Sequence, residues 1–85
     1  MTALNTARKE TLRAAAEGRR NEVMNYQINI DNFRLAIAKI EAEHADNVDM
    51  VAFADQLEDL LASSLREQLK EQIMLEVIEQ QLEGI

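Results

Sequence analysis

The chain has 85 residues, 47% of them hydrophobic and 29% charged, a formal net charge of -7, no cysteine, no proline and two glycines. That length suits a single domain and is too short for a thick monomeric core, while the missing cysteines exclude disulfides and thiolate metal sites, leaving helix packing or self-association as the source of stability. No apolar run approaches the roughly 20 residues of a membrane span and no leader-like h-region opens the chain, so a soluble, cytoplasmic protein without membrane contact is expected.

The first segment, Thr2 to Glu17, is helix-prone but carries only a weak apolar face of Leu4, Ala7, Thr11, Leu12 and Ala15. Gly18 interrupts good helix formers at a cost of about 1 kcal/mol relative to alanine if the helix runs through. A continuous or slightly kinked helix is expected there, because the heptad register running back from Val23 places Ala16 and Leu12 at seam positions. Arg19 breaks the apolar sequence of that seam. Residues 1–18 therefore stand as the start of the helix or as a basic arm or short separate helix.

Val23, Tyr26, Ile30, Phe33, Ile37, Ile40 and His44 then fall at alternating spacings of three and four. This is a coiled-coil stripe that another helix must cover. The stripe fades in Ala45, Asp46, Asn47, Val48 and Asp49, where Asp46, Asn47 or Asp49 can cap a second helix. So short a connection folds the second helix back along the first. The expected fold is all-α: an antiparallel hairpin of a helix from about 3 to 45 and a helix from about 49 to 83, forming one domain over 1–85. Counted from about residue 20 to 45 and from about 49 to 83, its arms are on the order of 40 and 50 Å at roughly 1.5 Å per residue, which makes a rod.

The second helix has more apolar surface than one neighbour can cover. Leu57, Leu61, Leu65, Leu69, Ile73 and Val77 recur every four residues, and each step advances about 40° beyond a full turn, so the stripe winds around the helix. Leu60, Leu75, Ile78, Leu82 and Ile85 widen it. Two interfaces follow: a hairpin core of Val23, Tyr26, Ile30, Phe33, Ile37, Ile40, Leu57 and Leu61, and a dimer or partner interface of Ile73, Val77, Ile78, Leu82 and Ile85. Two hairpins joined through the second would form a four-helix bundle.

Charge is unevenly placed. Through residue 40, seven cations oppose four carboxylates; from residue 41, Arg66 and Lys70 alone oppose twelve. A more basic helix beside a more acidic one is the arrangement this predicts, with each exposed pair contributing only about 0 to 1 kcal/mol.

Material for catalysis is sparse. The chain has a single histidine and no glycine-rich phosphate loop, and Ser63 and Ser64 read as small residues at a helix crossing, so no enzymatic activity and no cofactor are expected. Glu41 and His44 form Glu-x-x-His, the local spacing of carboxylate-bridged di-metal bundles, and the returning helix brings Asp55 opposite Glu41 with Glu58 or Asp59 nearby. Against a metal centre, no second Glu-x-x-His exists. Arg8, Lys9, Arg13, Arg19 and Arg20 form a basic cluster, but Tyr26 and Phe33 belong to the seam and the remainder is acidic, which disfavours direct nucleic-acid binding. The inverse role is an acidic rod, displaying Asp55, Glu58, Asp59, Glu67, Glu71, Glu76, Glu79 and Glu83, that imitates a phosphate backbone toward a DNA-binding protein.

These readings converge on a non-enzymatic helical protein that binds itself as a homodimer and an unidentified protein target, as an adaptor, inhibitor or assembly factor. Small, acidic, cysteine-free helical proteins of this kind are common among bacterial and bacteriophage accessory proteins. The nucleic-acid mimic and the di-metal bundle are the alternatives.

Overall fold

The computed structural model describes residues 3–85, which form two α-helices, α1 (Ala3–Glu43) and α2 (Val48–Glu83), and no strand. They lie side by side as an antiparallel hairpin measuring 67 × 14 × 14 Å. α1 passes through Gly18 without a break, so residues 3–18 belong to the long helix; Met1 and Thr2, the start of the expected arm, lie outside the described residues. Nothing stands within 4 Å of the place a Gly18 Cβ would occupy, so this glycine sits on an open flank and not at a tight crossing.

The turn is set by short polar chemistry. α1 ends at Glu43, the His44 N–H still donates to the Ile40 carbonyl at 2.8 Å, and the Asn47 N–H donates to His44 O at 3.0 Å. Asn47 is extended at φ -95° and ψ 109°, and its Oδ1 accepts from the Met50 N–H at 3.2 Å, so Asn47 is the residue that caps α2. Asp49 adds a carboxylate to the first turn of α2, where the helix dipole favours it.

The seam on α1 runs through Leu12, Ala16, Arg19, Val23, Tyr26, Ile30, Phe33, Ile37 and Ile40, every one buried or half-buried. It stops there: His44 is exposed and lies beyond the helix, so the expected continuation of the stripe to His44 is corrected. On α2 the matching seam is Met50, Ala54, Leu57, Leu61, Ser64, Gln68, Glu71, Leu75, Ile78 and Leu82, alternating four and three and likewise buried or half-buried. Both helices thus keep the heptad spacing that lets one line of contact persist over many turns.

The hydrophobic core is concentrated near the turn, where Ile37, Ile40, Ala54 and Leu57 are flanked by Phe33, Ala36, Met50 and Leu61. Farther along, Ile30 is fully buried. Truncating Ile30 to alanine should cost about 2–5 kcal/mol, whereas Asn47→Ala, which removes one capping bond, should cost about 1 kcal/mol. Urea unfolding followed by circular dichroism checks the order; equal losses would mean that the helices do not close around Ile30.

Candidate interaction surface

In the middle of the hairpin the α2 seam turns polar. Gln68 is 8% exposed, and its Nε2 donates to the Val23 carbonyl at 3.1 Å and to Gln27 Oε1 at 2.9 Å. One turn farther from the loop, Arg19 Nη1 meets Glu71 Oε2 at 2.9 Å, with side chains 37% and 21% exposed. The arginine that interrupts the apolar seam of α1 is therefore matched by a carboxylate at the facing seam position. No buried side-chain nitrogen or oxygen among the described residues lacks a partner. A satisfied polar layer of this kind fixes the register of two helices, since sliding one past the other by a heptad would bury the Gln68 amide against apolar neighbours.

Seating Ser64, Gln68 and Glu71 on the seam turns the long leucine row outward. Leu57 and Leu61 face α1, but Leu65, Leu69, Ile73 and Val77 are exposed, Leu69 by 56% and Ile73 by 50%. Of the five residues expected at a second interface, Ile73, Val77 and Ile85 lie on the outside, Leu82 is half-buried, and Ile78 is buried within the hairpin. Ile78 belongs to the intramolecular seam because it follows Leu75 by three and precedes Leu82 by four. Val23, Tyr26, Phe33 and Leu61 are half-buried and Ile30, Ile37, Ile40 and Leu57 buried, all on the line between the helices. Gln68 and Glu71 are the seam residues that hydrophobic spacing does not point to; the signal available is Arg19, whose charge at a seam position calls for an acid opposite it.

Near the loop, Ile40, Glu41, Ala45, Val51, Ala54, Asp55 and Glu58 line a pocket of about 190 Å³ with an apolar floor and three carboxylates at its rim. Glu41 and Asp55 are thus brought to one site, but His44 lines a different recess, made by residues 42–47. Glu41 and His44 therefore do not line one site, although the His44 N–H keeps its helical bond to the Ile40 carbonyl. Among the described residues no three histidine or carboxylate groups are placed to hold a metal ion.

Ser63 and Ser64 are half-buried where the two helices run side by side. In the acidic row, Glu71 is occupied by Arg19 and Glu67 by Lys70 at 2.9 Å, so the row is interrupted at its centre by neutralised groups. The basic residues Arg8, Arg13 and Arg20 are exposed on α1. No helix of the described residues is long and apolar enough to cross a membrane.

Residues seven apart stay in line along a coiled pair, so each flank of the seam reads as a row. The pocket flank carries Arg13, Arg20, Gln27 and Arg34 on α1 and Glu58, Leu65, Gln72 and Glu79 on α2. The other flank carries Ala15, Glu22, Asn29 and Ala36 on α1 and Phe53, Leu60, Glu67 and Met74 on α2. Fold and surface together define a two-helix, all-α hairpin with apolar side chains on its outside. No protein-family model, curated protein or solved structure matches the chain.

Gln68→Leu should leave stability within about 1 kcal/mol of the native chain, because the amide and its solvent-accessible partner are exchanged for apolar burial. Gln68→Glu sets a carboxylate against the Val23 carbonyl and should cost about 2 kcal/mol or more. Urea midpoints at neutral pH distinguish them, and a neutral Gln68→Glu would show that this layer does not hold the register.

Proposed function

We propose that this is a non-enzymatic helical interaction protein, an adaptor, inhibitor or assembly factor acting in the cytoplasm, whose working unit is a pair of hairpins packed as a four-helix bundle. The observation that supports this reading is the placement of Leu60, Leu65, Leu69, Ile73, Met74 and Val77 outside the hairpin, each at least 40% exposed. Large apolar side chains sustained along one helix in this way exceed the scattered exposure of an ordinary monomer surface. Water is excluded from them when another helix lies alongside.

Stability points the same way. A pair of helices shares one line of contact, and among the described residues only seven apolar ones are buried below a tenth of their surface. For a chain of this size, lacking disulfides, a second pair of helices is the usual supplement. The bacterial or bacteriophage setting rests on composition alone and belongs to the same proposal.

Sedimentation equilibrium over a wide concentration range should return twice the chain mass of 9.7 kDa. Because the contacts are apolar, raising salt from about 0.1 to about 0.5 M, which shortens the screening length well below 10 Å, should leave that mass unchanged. A monomer at all concentrations would remove the dimer and leave the apolar row for a foreign helix. A dimer that dissociates as salt rises would point to charge as the source of association and favour the acidic surface as the functional one.

A further inference from the structure

The two flanks of the seam differ in charge, and the difference selects one of them as the contact between copies. On α1 the pocket flank is ionised at Arg13, Glu17, Arg20, Asp31, Arg34 and Glu41, and on α2 at Asp55 and Glu58 and again from Glu76, with Leu65 and Leu69 between. The opposite flank carries no ionised side chain between Glu22 and Lys39 on α1 or between Asp49 and Glu67 on α2. In that interval it presents Asn25, Asn29, Asn32 and Ala36 from α1 and Phe53, Gln56, Leu60 and Ser63 from α2. Phe53 and Leu60 are 45% and 50% exposed. Of the four ionic residues bounding the interval, Lys39 pairs with Glu43 and Glu67 with Lys70, each pair at 2.9 Å. A patch with large apolar anchors, neutral amides around them and few free charges has the composition of an interface core.

A second copy is the occupant that the dimensions and the charges support. One side of a rod measuring 67 × 14 Å offers about 900 Å², matching the roughly 800 Å² each partner contributes to a stable complex. In the turn-proximal segment 38–59, Lys39 alone stands against Glu41, Glu43, Asp46, Asp49, Asp55, Glu58 and Asp59. Two such ends placed together would repel, whereas at the far end of the rod Arg8, Lys9 and Arg13 balance Glu10, Glu79 and Glu83.

Resting on the dimer reading above, we infer that two hairpins pack through this low-charge flank with their turns at opposite ends. Reversing one copy about the level of Asn25 and Glu67 sets Leu60 beside Met74 of the other copy and Ala36 beside its Ala15. Leu60 and Met74 then meet along the α2 pair, where Phe53 comes level with Gln81 of the other copy, and small residues meet along the α1 pair. The same reversal brings Arg8 level with Glu43 of the other copy, beside the acidic turn. Among the described residues Arg8 makes no salt bridge. Glu67 meets its own copy near the two-fold axis, where Lys70 neutralises each.

The chain contains no cysteine, so Asp46→Cys gives a single site at the turn for a spin label. Electron–electron resonance on the labelled dimer should return about 60 Å, close to the rod length, while turns at the same end would give about 20 Å or less. A short distance overturns the opposite-end arrangement and leaves the dimer reading intact. Absence of any dimer at the concentrations used for sedimentation overturns both. For the choice of flank, Leu60→Asp should convert the dimer to monomer with the helical circular-dichroism signal retained, and Leu65→Asp should leave it dimeric. Phe53→Asp repeats the test should Leu60→Asp lose helicity. The reverse pattern, with Leu65→Asp alone dissociating the protein, would place the contact on the pocket flank and overturn the assignment.

Discussion

Two helices lying side by side can hide from water only the strip along which they touch. Everything particular about this hairpin follows from that limit. A globular domain of the same length would enclose residues on all sides, but here Ile30 is the large side chain that is fully buried, and the apolar cluster near the turn holds two isoleucines, one leucine and one alanine below a tenth exposed. The strip cannot widen, so further apolar residues have nowhere to go but outward. Phe53, Leu60, Leu65, Leu69 and Ile73 are outside for this geometric reason and not through any failure of the fold.

The polar layer at the middle of the strip makes sense under the same limit. A uniformly apolar two-helix seam with heptad spacing can slip by seven residues and present an almost equivalent surface. Gln68 removes that equivalence, because its amide is satisfied only where the Val23 carbonyl and Gln27 stand, and Arg19 with Glu71 repeats the constraint one turn along. The hydrogen bonds add little net stability to the folded state, since water would satisfy the same groups in the unfolded chain. Their effect is on the alternatives: each wrong register strands a buried amide or a half-buried charge. The apolar cluster at the turn and the polar layer at the centre thus divide the work, one supplying burial and the other alignment.

How far the sequence could be read depended on how many patterns competed at each place. On α1 a single pattern holds from Val23 to Ile40, each seam residue is large and apolar, and the facing strip could be assigned residue by residue. The turn was equally legible, since Asp46, Asn47 and Asp49 concentrate the short side chains that cap helices. α2 supports two patterns at once. Its leucines at every fourth residue overlap the four-three spacing at Leu57 and Leu61 and depart from it at Leu65, so hydrophobicity alone could not say which row faced α1. The structure follows the four-three row even though that row carries Ser64, Gln68 and Glu71, because only that spacing stays beside a neighbouring helix over the full length of the rod. His44 shows the opposite case, in which the spacing continued but the helix had already ended.

The every-fourth row also has a consequence for what the outside of the rod can bind. Its members, taken with Phe53, are Phe53, Leu57, Leu61, Leu65, Leu69, Ile73 and Val77, and successive steps of four carry them through all seven positions of the heptad. The row starts on the low-charge flank at Phe53, crosses the seam at Leu57 and Leu61, and emerges on the pocket flank at Leu65. It then passes over the back of α2 at Leu69 and Ile73 and regains the low-charge flank at Val77. A second hairpin lying straight along that flank covers the two ends of this path and leaves its middle bare. In the proposed dimer Leu65, Leu69 and Ile73 form a separate apolar patch, with Glu58 to one side of it and Glu76 and Glu79 to the other. A surface that remains apolar after self-association is one available to a different protein, which is what an adaptor requires and a purely structural dimer does not.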